Sequence, residues 1–358
     1  MRIVHIVAHR AKNGVSTSCK TLIEAQLRHG HAVLLITMAD SWIAEQEFAG
    51  PVEMAFSHLK TRIPELRRVG AIVRAWSPTV VHCHGSKANK YGMVFRLAAG
   101  APVVMTAHSR NIQLPPSFFR AVIAPSQQTA DYHNRKNWVR RAKLHVIPHL
   151  FDDVSRDAAK GRDRLMRMGV AEDDFVVGIV GSVDHRKNQI DGIRILNMLG
   201  NRPNVKLVLV GGVSEKHAIG GWDDAITDPA VKDRVILAGH CEDAQSLIAG
   251  FDVLLCTSKI EEGPIVVLEA MALNVPVVST AVGMVPWLIR DGIDGYVYEV
   301  GACDKAASAI GALIDDPAKR HQMGRAGREQ LLIQCDEKAI LEQIDTVYRS
   351  VAEAAGTL

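Results

Sequence analysis

No apolar run in the 358-residue sequence approaches the roughly 18 residues that a membrane-spanning helix needs. The chain opens with Met-Arg-Ile-Val-His-Ile-Val, which is typical of a strand and unlike the charged leader and apolar block of a secretion signal. No G-x-G-x-x-G motif follows a predicted strand, which disfavours a dinucleotide-dependent dehydrogenase. We therefore expect a cytoplasmic protein that is neither secreted nor membrane-spanning.

The six cysteines never approach one another at a C-x-x-C spacing. Most of them lie in strand-like or helix-like runs, as buried apolar thiols do, which favours a reducing compartment. Charged residues make up only 23% of the chain and hydrophobic residues 47%, and this balance excludes a disordered or collagen-like protein. At roughly 150 residues per domain, the length predicts two domains.

Short β-branched runs alternate with helical patterns, which predicts an α/β protein with parallel sheets and crossover helices. A polar stretch at residues 152–167 separates two such series. We predict two Rossmann-like domains, residues 1–152 with a C-terminal helix at 336–358, and residues 153–335. The predicted strands are 3–7, 32–37, 80–83, 103–106, 121–124 and 144–147 in the first series, and 175–180, 205–210, 234–237, 252–256, 275–279 and 295–298 in the second.

The most informative segment is residues 258–272, which follows a predicted strand. Gly263 and Pro264 stand where a helix would begin, since proline at the first helical position loses no hydrogen bond. The exposed amides of Ile265 and Val266 and the positive end of the helix dipole would then face the carboxyl edge of the sheet. Such an edge predicts a diphosphate site that needs no metal.

Two glutamates flank this predicted helix start. Glu269 lies roughly one turn inside the helix with its side chain tilted back toward the N-terminus, so its carboxylate is placed to reach ribose hydroxyls. Glu261 precedes the helix, across the phosphates. One carboxylate on each side of a diphosphate suits a site that holds a nucleoside at one end and a sugar at the other.

The seven-residue separation of Glu261 and Glu269, with Ala-Met-Ala at 270–272 and Pro-Val-Val at 276–278, resembles the signature of the retaining glycosyltransferases of the GT-B fold, family four. The resemblance extends over nearly the whole chain. It implies two Rossmann-like domains facing a central cleft, and transfer of a sugar from a nucleotide-diphosphate donor with retention of configuration. The family's habits favour a UDP-sugar. An ordinary amphipathic helix with surface carboxylates is the plainer alternative.

Further motifs of the second half resemble the same family's donor site. The run Gly-Ile-Val-Gly at 178–181 and the loop after it resemble the phosphate-binding strand and loop, and Lys187 matches the family lysine on the diphosphate. Ser182 stands where the family often has arginine, and Arg186 is a candidate to supply that charge. His240 follows the strand whose backbone holds the nucleobase in the family, although strand-end packing explains it equally well.

Two segments of the first half extend the resemblance. Residues 13–16 follow a strand and lead into a helix that we expect to begin near Ser16, so we expect bare amides at that helix N-terminus, with Gly14 allowing a close backbone approach. The family's glycine-rich loop lies here, near diphosphate and acceptor. His108 follows a strand, and the family's matching histidine touches the donor sugar; a purely structural histidine is the alternative.

We predict no metal site and no cofactor besides the donor substrate. His82 and His84 superficially offer metal ligands, but alternate strand side chains point to opposite faces, so Cys83 between them diverges from both. The predicted helix-terminus site needs no cation for the diphosphate.

Charge is divided unevenly between the two halves. Residues 1–150 hold 20 Lys and Arg against 7 Asp and Glu, a net +13, whereas the remainder holds 22 against 32, a net −10. We hypothesise that the basic half attaches peripherally to an anionic membrane surface, the inner face of the plasma membrane, and serves a glycan or lipid-linked acceptor; a solvated helix face is the alternative. No nucleic-acid motif is present and aromatic residues are only 5% of the chain, so nucleic acid is not an expected partner.

These observations predict a metal-independent glycosyltransferase of cell-surface polysaccharide or lipopolysaccharide assembly. Lys187 and the amides of Ile265 and Val266 would neutralise the departing diphosphate. Glu261 would fix the sugar and stabilise developing positive charge, and His108 would orient the sugar.

Two other functions remain open at this stage. A nucleotide-sugar epimerase of similar fold would use carboxylates and histidines in the same cleft. A non-catalytic nucleotide-sugar-binding scaffold is motivated by Ser182 and by His149-Leu150-Phe151, where the family often has a hinge glycine.

Overall fold

The structure is a computed structural model that describes residues 1–60, 62–113, 115–153, 157–200, 202, 204–212 and 229–358. Contacts divide the chain into two compact units. Unit 1 consists of Met1–Leu150 and Cys335–Leu358, and unit 2 consists of Phe151–Gln334. Within the described ranges, none of the helices combines the length and the apolar character that crossing a bilayer requires.

Unit 1 is built on a seven-stranded parallel sheet with the order β3-β2-β1-β4-β5-β6-β7. Successive strands extend from β1 first to one side and then, from β4, to the other, so the order reverses between β1 and β4. Ligands of open parallel sheets bind at the carboxyl ends of strands beside such a reversal. The strands are β1 Arg2–Val7, β2 Ala32–Thr37, β3 Val52–Phe56, β4 Val80–His84, β5 Val103–Thr106, β6 Ala121–Ala124 and β7 Leu144–Val146.

Helices cover the sheet of unit 1, and this explains its strand sequences. β1, β2 and β4 are buried along almost their whole length, so they read as continuous apolar runs rather than alternating ones. The helices are α1 Gly14–Arg28, α2 Ile63–Trp76, α3 Ser86–Ala99, α4 Pro115–Phe118, α5 Gln127–Lys136 and the C-terminal helix Glu337–Glu353, and two 3₁₀ turns span Trp42–Glu45 and Arg141–Lys143.

Unit 2 repeats the plan with a six-stranded parallel sheet in the order β10-β9-β8-β11-β12-β13. Its strand order reverses between β8 and β11. The strands are β8 Phe175–Val180, β9 Val205–Val210, β10 Val235–Gly239, β11 Val253–Cys256, β12 Val277–Thr280 and β13 Tyr296–Tyr298. The described helices are α6 Ala158–Met166, α7 Gln189–Met198, α8 Pro229–Lys232, α9 Ala244–Ile248, α10 Ile265–Ala272, α11 Val285–Leu288, α12 Cys303–Asp315 and α13 Pro317–Gln334.

The predicted α/β class is confirmed, and each of the twelve predicted strands overlaps an observed one. The prediction missed β3, which lies at the edge of its sheet and is only partly buried. Its sequence Val-Glu-Met-Ala-Phe carries a charged residue and follows a proline, so the apolar signal is weak. Burial, and not backbone pairing, produces the signal that strand prediction depends on.

The C-terminal helix Glu337–Glu353 belongs by its contacts to unit 1. The Asp336 side chain accepts a hydrogen bond from the Ala339 N–H at 2.8 Å and so caps its first turn. One apolar face, which includes Ile344 and Tyr348, is buried. Unit 1 is therefore completed by a segment that lies almost 200 residues beyond its other strands and helices.

Candidate active site

Two loops of unit 2 leave the carboxyl edge of its sheet side by side. β8 and β11 are parallel neighbours, so the segments that follow them, residues 181–188 and 257–264, emerge at the same edge. The Thr257 hydroxyl donates to the Lys187 carbonyl at 2.8 Å, and the Lys259 N–H donates to the Arg186 carbonyl at 2.8 Å. These bonds hold the basic loop against the loop that carries the first glutamate.

Glu261 is the buried centre of this arrangement. Only 6% of the residue is exposed, and its carboxylate lies 2.8 Å from Lys187 Nζ and 2.9 Å from an Arg186 guanidinium nitrogen. Burial alone would raise the pKa of the Glu261 carboxyl, but the charges of Lys187 and then Arg186 outweigh burial and lower that pKa. Glu261 is therefore ionised at neutral pH, and two cations are concentrated beside it.

The conformation of the basic loop depends on Asp184. Its carboxylate accepts hydrogen bonds from the Lys187 N–H at 2.8 Å, the Arg186 N–H at 3.0 Å and the Ser182 hydroxyl at 2.7 Å. Burial acts to raise the pKa of Asp184, but the Ser182 hydroxyl and the Lys187 N–H overcome it and lower that pKa. Sequence reasoning did not single out Asp184, although an aspartate two residues before a basic pair is a usual turn former.

Ser182 and Arg186, two of the predicted donor ligands, are both engaged within the protein. Ser182 serves the loop through Asp184, whereas the Arg186 side chain contacts Glu261 and is 45% exposed. The Arg186 guanidinium and the Lys187 ammonium group therefore both contact the Glu261 carboxylate. The structure therefore gives Arg186 the position that the sequence left undecided.

The first turn of helix α10 begins beside these charges. Its N-cap is Pro264, which makes no side-chain cap hydrogen bond, so the amides of Ile265 and Val266 receive no bond from the cap residue. Gly263 precedes the cap. Glu269 lies half-buried one turn further on and accepts a hydrogen bond from the Gln245 side chain at 3.0 Å. Gln245, in helix α9, is a residue that no motif indicated.

Two glycines hold the strand-end loops close together. The amide of Gly211 donates to the Gly239 carbonyl at 2.8 Å, and a Cβ on Gly211 would stand 2.0 Å from the Gly181 carbonyl oxygen. Gly283, with φ of +56°, lies against the backbone of the 261–262 segment, where a Cβ would meet the Glu262 oxygen at 2.6 Å. At Gly211 and Gly283 the neighbouring backbone therefore leaves no room for a side chain. This close backbone packing is found at the ends of β8, β9 and β10 and beside the loop that carries Glu261.

His240 follows β10 and is exposed at the same carboxyl edge, three strands away from β11 in the sheet order. Its ring makes no hydrogen bond to any of the described residues. The structure thus brings Lys187, Arg186, Glu261 and the start of α10 together, and it places Glu269 and His240 along the same side of unit 2.

In unit 1, the expectation of bare amides before helix α1 is wrong. The Asn13 side chain accepts from the Val15 N–H at 2.9 Å and the Ser16 N–H at 3.1 Å, and the Ser16 hydroxyl completes a capping box with the Asn13 N–H. Helix α1 begins at Gly14, two residues earlier than predicted. Asparagine here uses the amide groups that an anion would otherwise bind.

His108 is half-buried two residues beyond the end of β5. Its Nε2 lies 3.2 Å from Nδ1 of His84, and its ring stacks on His149 with centroids 5.3 Å apart. Burial, followed by the neighbouring His149 and His9, lowers the pKa of His108 well below its usual value. The ring is therefore a neutral hydrogen-bonding group at neutral pH.

The predicted alternation in β4 is confirmed, because the His82 and His84 rings lie 4.3 Å apart while Cys83 packs in the apolar core on the other face. A different trio of ligand types, His5, Cys19 and His84, is close together among the described residues. His5 Nδ1 and His84 Nε2 are 2.9 Å apart, which is a hydrogen bond, and burial raises the pKa of the Cys19 thiol. These groups are satisfied without a cation.

Basic residues of unit 1 gather in two places, along helix α2 and around Trp138, and the two groups differ in their surroundings. In helix α2, Arg68 pairs with Glu65 at 2.8 Å, and Trp76 is buried and donates to Glu53 at 2.7 Å. The second group surrounds Trp138, which is 68% exposed. Its exposed members are Arg135, Lys136, Arg140 and Arg141.

Comparison with known proteins gives two family matches that follow each other along the chain. The model described as Glycosyltransferase Family 4 matches residues 12–154, and the model described as Glycosyl transferases group 1 matches residues 165–330. The first match lies in unit 1 apart from its last four residues, and the second lies wholly in unit 2. The second contains the Lys187 loop, both glutamates and His240.

Among curated relatives, N-acetyl-alpha-D-glucosaminyl L-malate synthase of Bacillus anthracis is 29% identical over 183 residues, which is 51% of this chain and 47% of that protein. The lipopolysaccharide core biosynthesis glycosyltransferase LpsE of Rhizobium meliloti is 30% identical over 148 residues, 41% of this chain and 43% of that protein. Each of these matches spans less than half of the relative's length.

Among solved structures, HepE of Anabaena in complex with UDP and glucose superposes with a TM-score of 0.82 at 22% identity. The superposition covers 98% of this chain and 100% of that one. At this identity the likeness concerns the fold, which is the GT-B fold.

Proposed function

This chain belongs to glycosyltransferase family four, and we propose that it moves a sugar from a nucleotide-diphosphate donor, with a UDP-sugar favoured, to a hydroxyl of its acceptor with retention of configuration. The observation that carries the proposal is Glu261, a buried carboxylate held by Lys187 at 2.8 Å shortly before the start of helix α10, whose N-cap proline makes no side-chain cap hydrogen bond. One small region of unit 2 thus offers two cationic side chains, a helix start that its N-cap proline does not cap, and an ionised carboxylate.

The diphosphate is assigned to the positive part of this region. Lys187 is a compact ammonium charge, and the amides of Ile265 and Val266 add the positive end of the α10 dipole. Arg186 supplies the charge that Ser182 lacks. Preorganised groups of this kind stabilise charge as it develops on a leaving group, and removal of one such donor typically costs about 100-fold or more in rate.

The negative part suits the rest of the donor. Glu261 is proposed to hold sugar hydroxyls and to stabilise positive charge at the anomeric carbon, and Glu269 to hold the ribose. The anomeric carbon exchanges its bond to the diphosphate oxygen for a bond to the acceptor oxygen on the same face. The departing phosphate oxygen takes the acceptor's proton, so the reaction needs no separate base and, we propose, no metal.

Three further residues keep the roles that the family resemblance implies. His240 is proposed to lie near the nucleobase, Gly14 to lie near the diphosphate and acceptor, and His108 to contact a hydroxyl of the donor sugar. For Gly14 the role is limited to backbone approach, since the Asn13 cap uses the amides after it.

A glycan or lipid-linked saccharide of cell-surface polysaccharide or lipopolysaccharide assembly is the acceptor that we propose. The name of LpsE and the net +13 of residues 1–150 support it. Basic residues near an anionic leaflet contribute about 1 kcal/mol each. We further propose attachment to an anionic membrane surface through the Trp138 group, for which sedimentation with anionic and with zwitterionic vesicles at low salt is the test. Equal sedimentation with both would refute attachment.

The enzymatic proposal is tested by incubating the protein with a panel of nucleotide sugars, with and without saccharide acceptors, in the presence of EDTA. We expect acceptor-dependent release of nucleoside diphosphate and a product whose anomeric configuration, read by NMR, matches the donor. Lys187→Met should lower turnover at least about 100-fold. Lys259→Met, which removes an exposed lysine of the neighbouring loop, should leave it unchanged.

The other outcomes identify the other functions. Conversion of donor without any acceptor would indicate an epimerase. Donor binding by calorimetry without turnover on any acceptor would indicate a non-catalytic nucleotide-sugar-binding protein. Equal turnover of Lys187→Met and the wild-type protein would refute the assigned diphosphate site.

A further inference from the structure

Four side chains of unit 1 form a continuous hydrogen-bonded row, which we call the histidine chain: the half-buried His108 and the buried His84, His5 and Gln26. His108 Nε2 lies 3.2 Å from His84 Nδ1, His84 Nε2 lies 2.9 Å from His5 Nδ1, and His5 Nε2 lies 2.7 Å from Gln26 Oε1. His5 and His84 come from β1 and β4, adjacent strands at the reversal of the sheet order, and Gln26 comes from helix α1.

The orientation of the Gln26 amide gives the chain a direction. Its NH₂ group donates to the Tyr348 hydroxyl at 3.3 Å, so its oxygen faces His5. An amide oxygen only accepts, and therefore Nε2 of His5 carries the proton. The rings are neutral, because burial lowers the pKa of His5 to about 4 and lowers the pKa of His84 and of His108 well below the usual value.

A neutral imidazole has one donor nitrogen and one acceptor nitrogen, so the position of the proton on one ring fixes its position on the next ring. His5 accepts at Nδ1 from Nε2–H of His84, and His84 accepts at Nδ1 from Nε2–H of His108. The Nδ1 atom of His108 is left as an acceptor. None of the described residues donates to it, and the ring is half-buried rather than enclosed.

A second branch supports the same direction. The Tyr348 hydroxyl, which accepts from Gln26, is 2.5 Å from His82 Nδ1, and His82 Nε2 is 2.8 Å from the Thr106 hydroxyl. Tyr348 then donates to His82, and His82 donates to Thr106. The branch ends two residues before His108, so Gln26 is connected to the end of β5 by two routes with compatible proton positions.

We propose that Gln26, His5 and His84 are positioning residues that fix the tautomer of His108, so that its Nδ1 accepts a hydrogen bond from an uncharged hydroxyl of the ligand. A lone pair at Nδ1 attracts a hydroxyl proton and repels a phosphate oxygen. His108 thus selects the sugar and not the diphosphate end of a nucleotide sugar. The identity of the ligand rests on the proposed function, whereas the tautomer does not.

The test uses the full-length, ligand-free protein labelled with ¹⁵N-histidine and recorded by long-range ¹H–¹⁵N correlation, with each ring assigned by its own His→Gln variant. We expect His5, His84 and His108 all to carry the proton on Nε2 at pH 7.5. In Gln26→Met, which has similar size but no acceptor, the two ¹⁵N shifts of His108 should move toward each other as both tautomers become populated. Ile23→Val is the matched control, because Ile23 is a fully buried residue of the same helix and outside the chain.

Several results would overturn the proposal. One is a wild-type spectrum in which the three histidines carry the proton on Nδ1, as they would if the Gln26 amide were reversed. A second is a wild-type spectrum in which His108 is cationic. Another is a His108 tautomer that Gln26→Met leaves unchanged or that Ile23→Val changes equally. Retention of one equivalent of zinc by the purified protein would also overturn it, since a metal would replace the proton between His5 and His84. If Gln26→Met does not fold, the wild-type spectrum decides, and no result depends on enzymatic activity.

Discussion

Replacement of Lys187 by methionine tests the buried charge cluster most directly. Lys187→Met keeps the length of the side chain but leaves Glu261 with Arg186 as its charged partner. Removal of one partner of a fully buried ion pair costs about 3–5 kcal/mol. Arg186 stays 2.9 Å from Glu261 and still compensates part of its charge, so we expect a smaller loss of about 2 kcal/mol in the stability of unit 2 at pH 7.5. The compensation is only partial, because Arg186 is 45% exposed and its charge is screened by water.

The sign of the pH dependence should change in this variant. In the wild-type protein the pKa of Glu261 is lowered, so its ionised form stabilises the folded state above pH 4.5, and this contribution is lost as the pH falls through the lowered pKa. Without Lys187, burial is opposed chiefly by the half-exposed Arg186, and we expect burial to dominate and to raise the pKa of Glu261. Protonation then relieves the buried charge, and the penalty of Lys187→Met should be smaller at pH 5 than at pH 7.5.

Hydrogen exchange read by mass spectrometry separates unit 2 from unit 1, which a global unfolding curve does not. A loss of about 2 kcal/mol corresponds to roughly 30-fold faster exchange in peptides from β8 and β11. Lys259→Met should change exchange by less than about twofold, since surface substitutions stay within about 0.5 kcal/mol. Peptides from β1 and β4 should not change.

The double variant Lys187→Met with Glu261→Gln provides the decisive comparison. If the cost of Lys187→Met comes from an uncompensated carboxylate, removal of that charge should recover at least about 1 kcal/mol relative to additivity. Additive single effects, or a penalty that is equal at pH 5 and pH 7.5, would refute the assignment of Glu261 as a buried charge held chiefly by Lys187.

Two further predictions concern the backbone and the buried histidines. Gly211→Ala should destabilise unit 2 by about 3 kcal/mol, because the new Cβ would stand 2.0 Å from the Gly181 carbonyl oxygen. Gly200→Ala is the control: Gly200 also has a positive φ but has open space around it, so the substitution should cost about 1 kcal/mol. Equal melting temperatures of the two variants would contradict this prediction. His5 and His149 have their pKa lowered by burial from 6.5 to about 4, so the unfolded chain binds protons that the folded unit 1 does not. As the pH is lowered from about 6.5 to about 4, the stability of unit 1 should fall by about 1.4 kcal/mol per pH unit for each of these histidines. Exchange protection factors of β1 peptides, corrected for the intrinsic pH dependence of amide exchange, that stay constant over this range would contradict the prediction.

Much of the fold was predictable because buried parallel strands produce strong local signals. Val-Val-Gly-Ile-Val in β8 and Val-Leu-Leu-Cys in β11 are apolar runs bounded by turn residues, and both were placed correctly. The edge strand β3 was missed, because two of its five residues are exposed, only one is fully buried, and its sequence resembles a loop. The start of helix α1 was misplaced, since a capping box requires backbone geometry as well as the Asn-x-x-Ser spacing.

The amino-acid sequence by itself determined the α/β class, the two series of strands, and the positions of Lys187, Glu261 and Glu269 relative to strand ends. It did so because these features depend on residues that are near one another along the chain. Only the tertiary structure decided that Arg186 and Lys187 share one buried carboxylate, that Ser182 serves Asp184, and that Gln26, His5 and His84 form a directed chain to His108. Those relations join side chains from different strands and helices, and the direction of a hydrogen bond is a property of atoms in space that no residue spacing encodes.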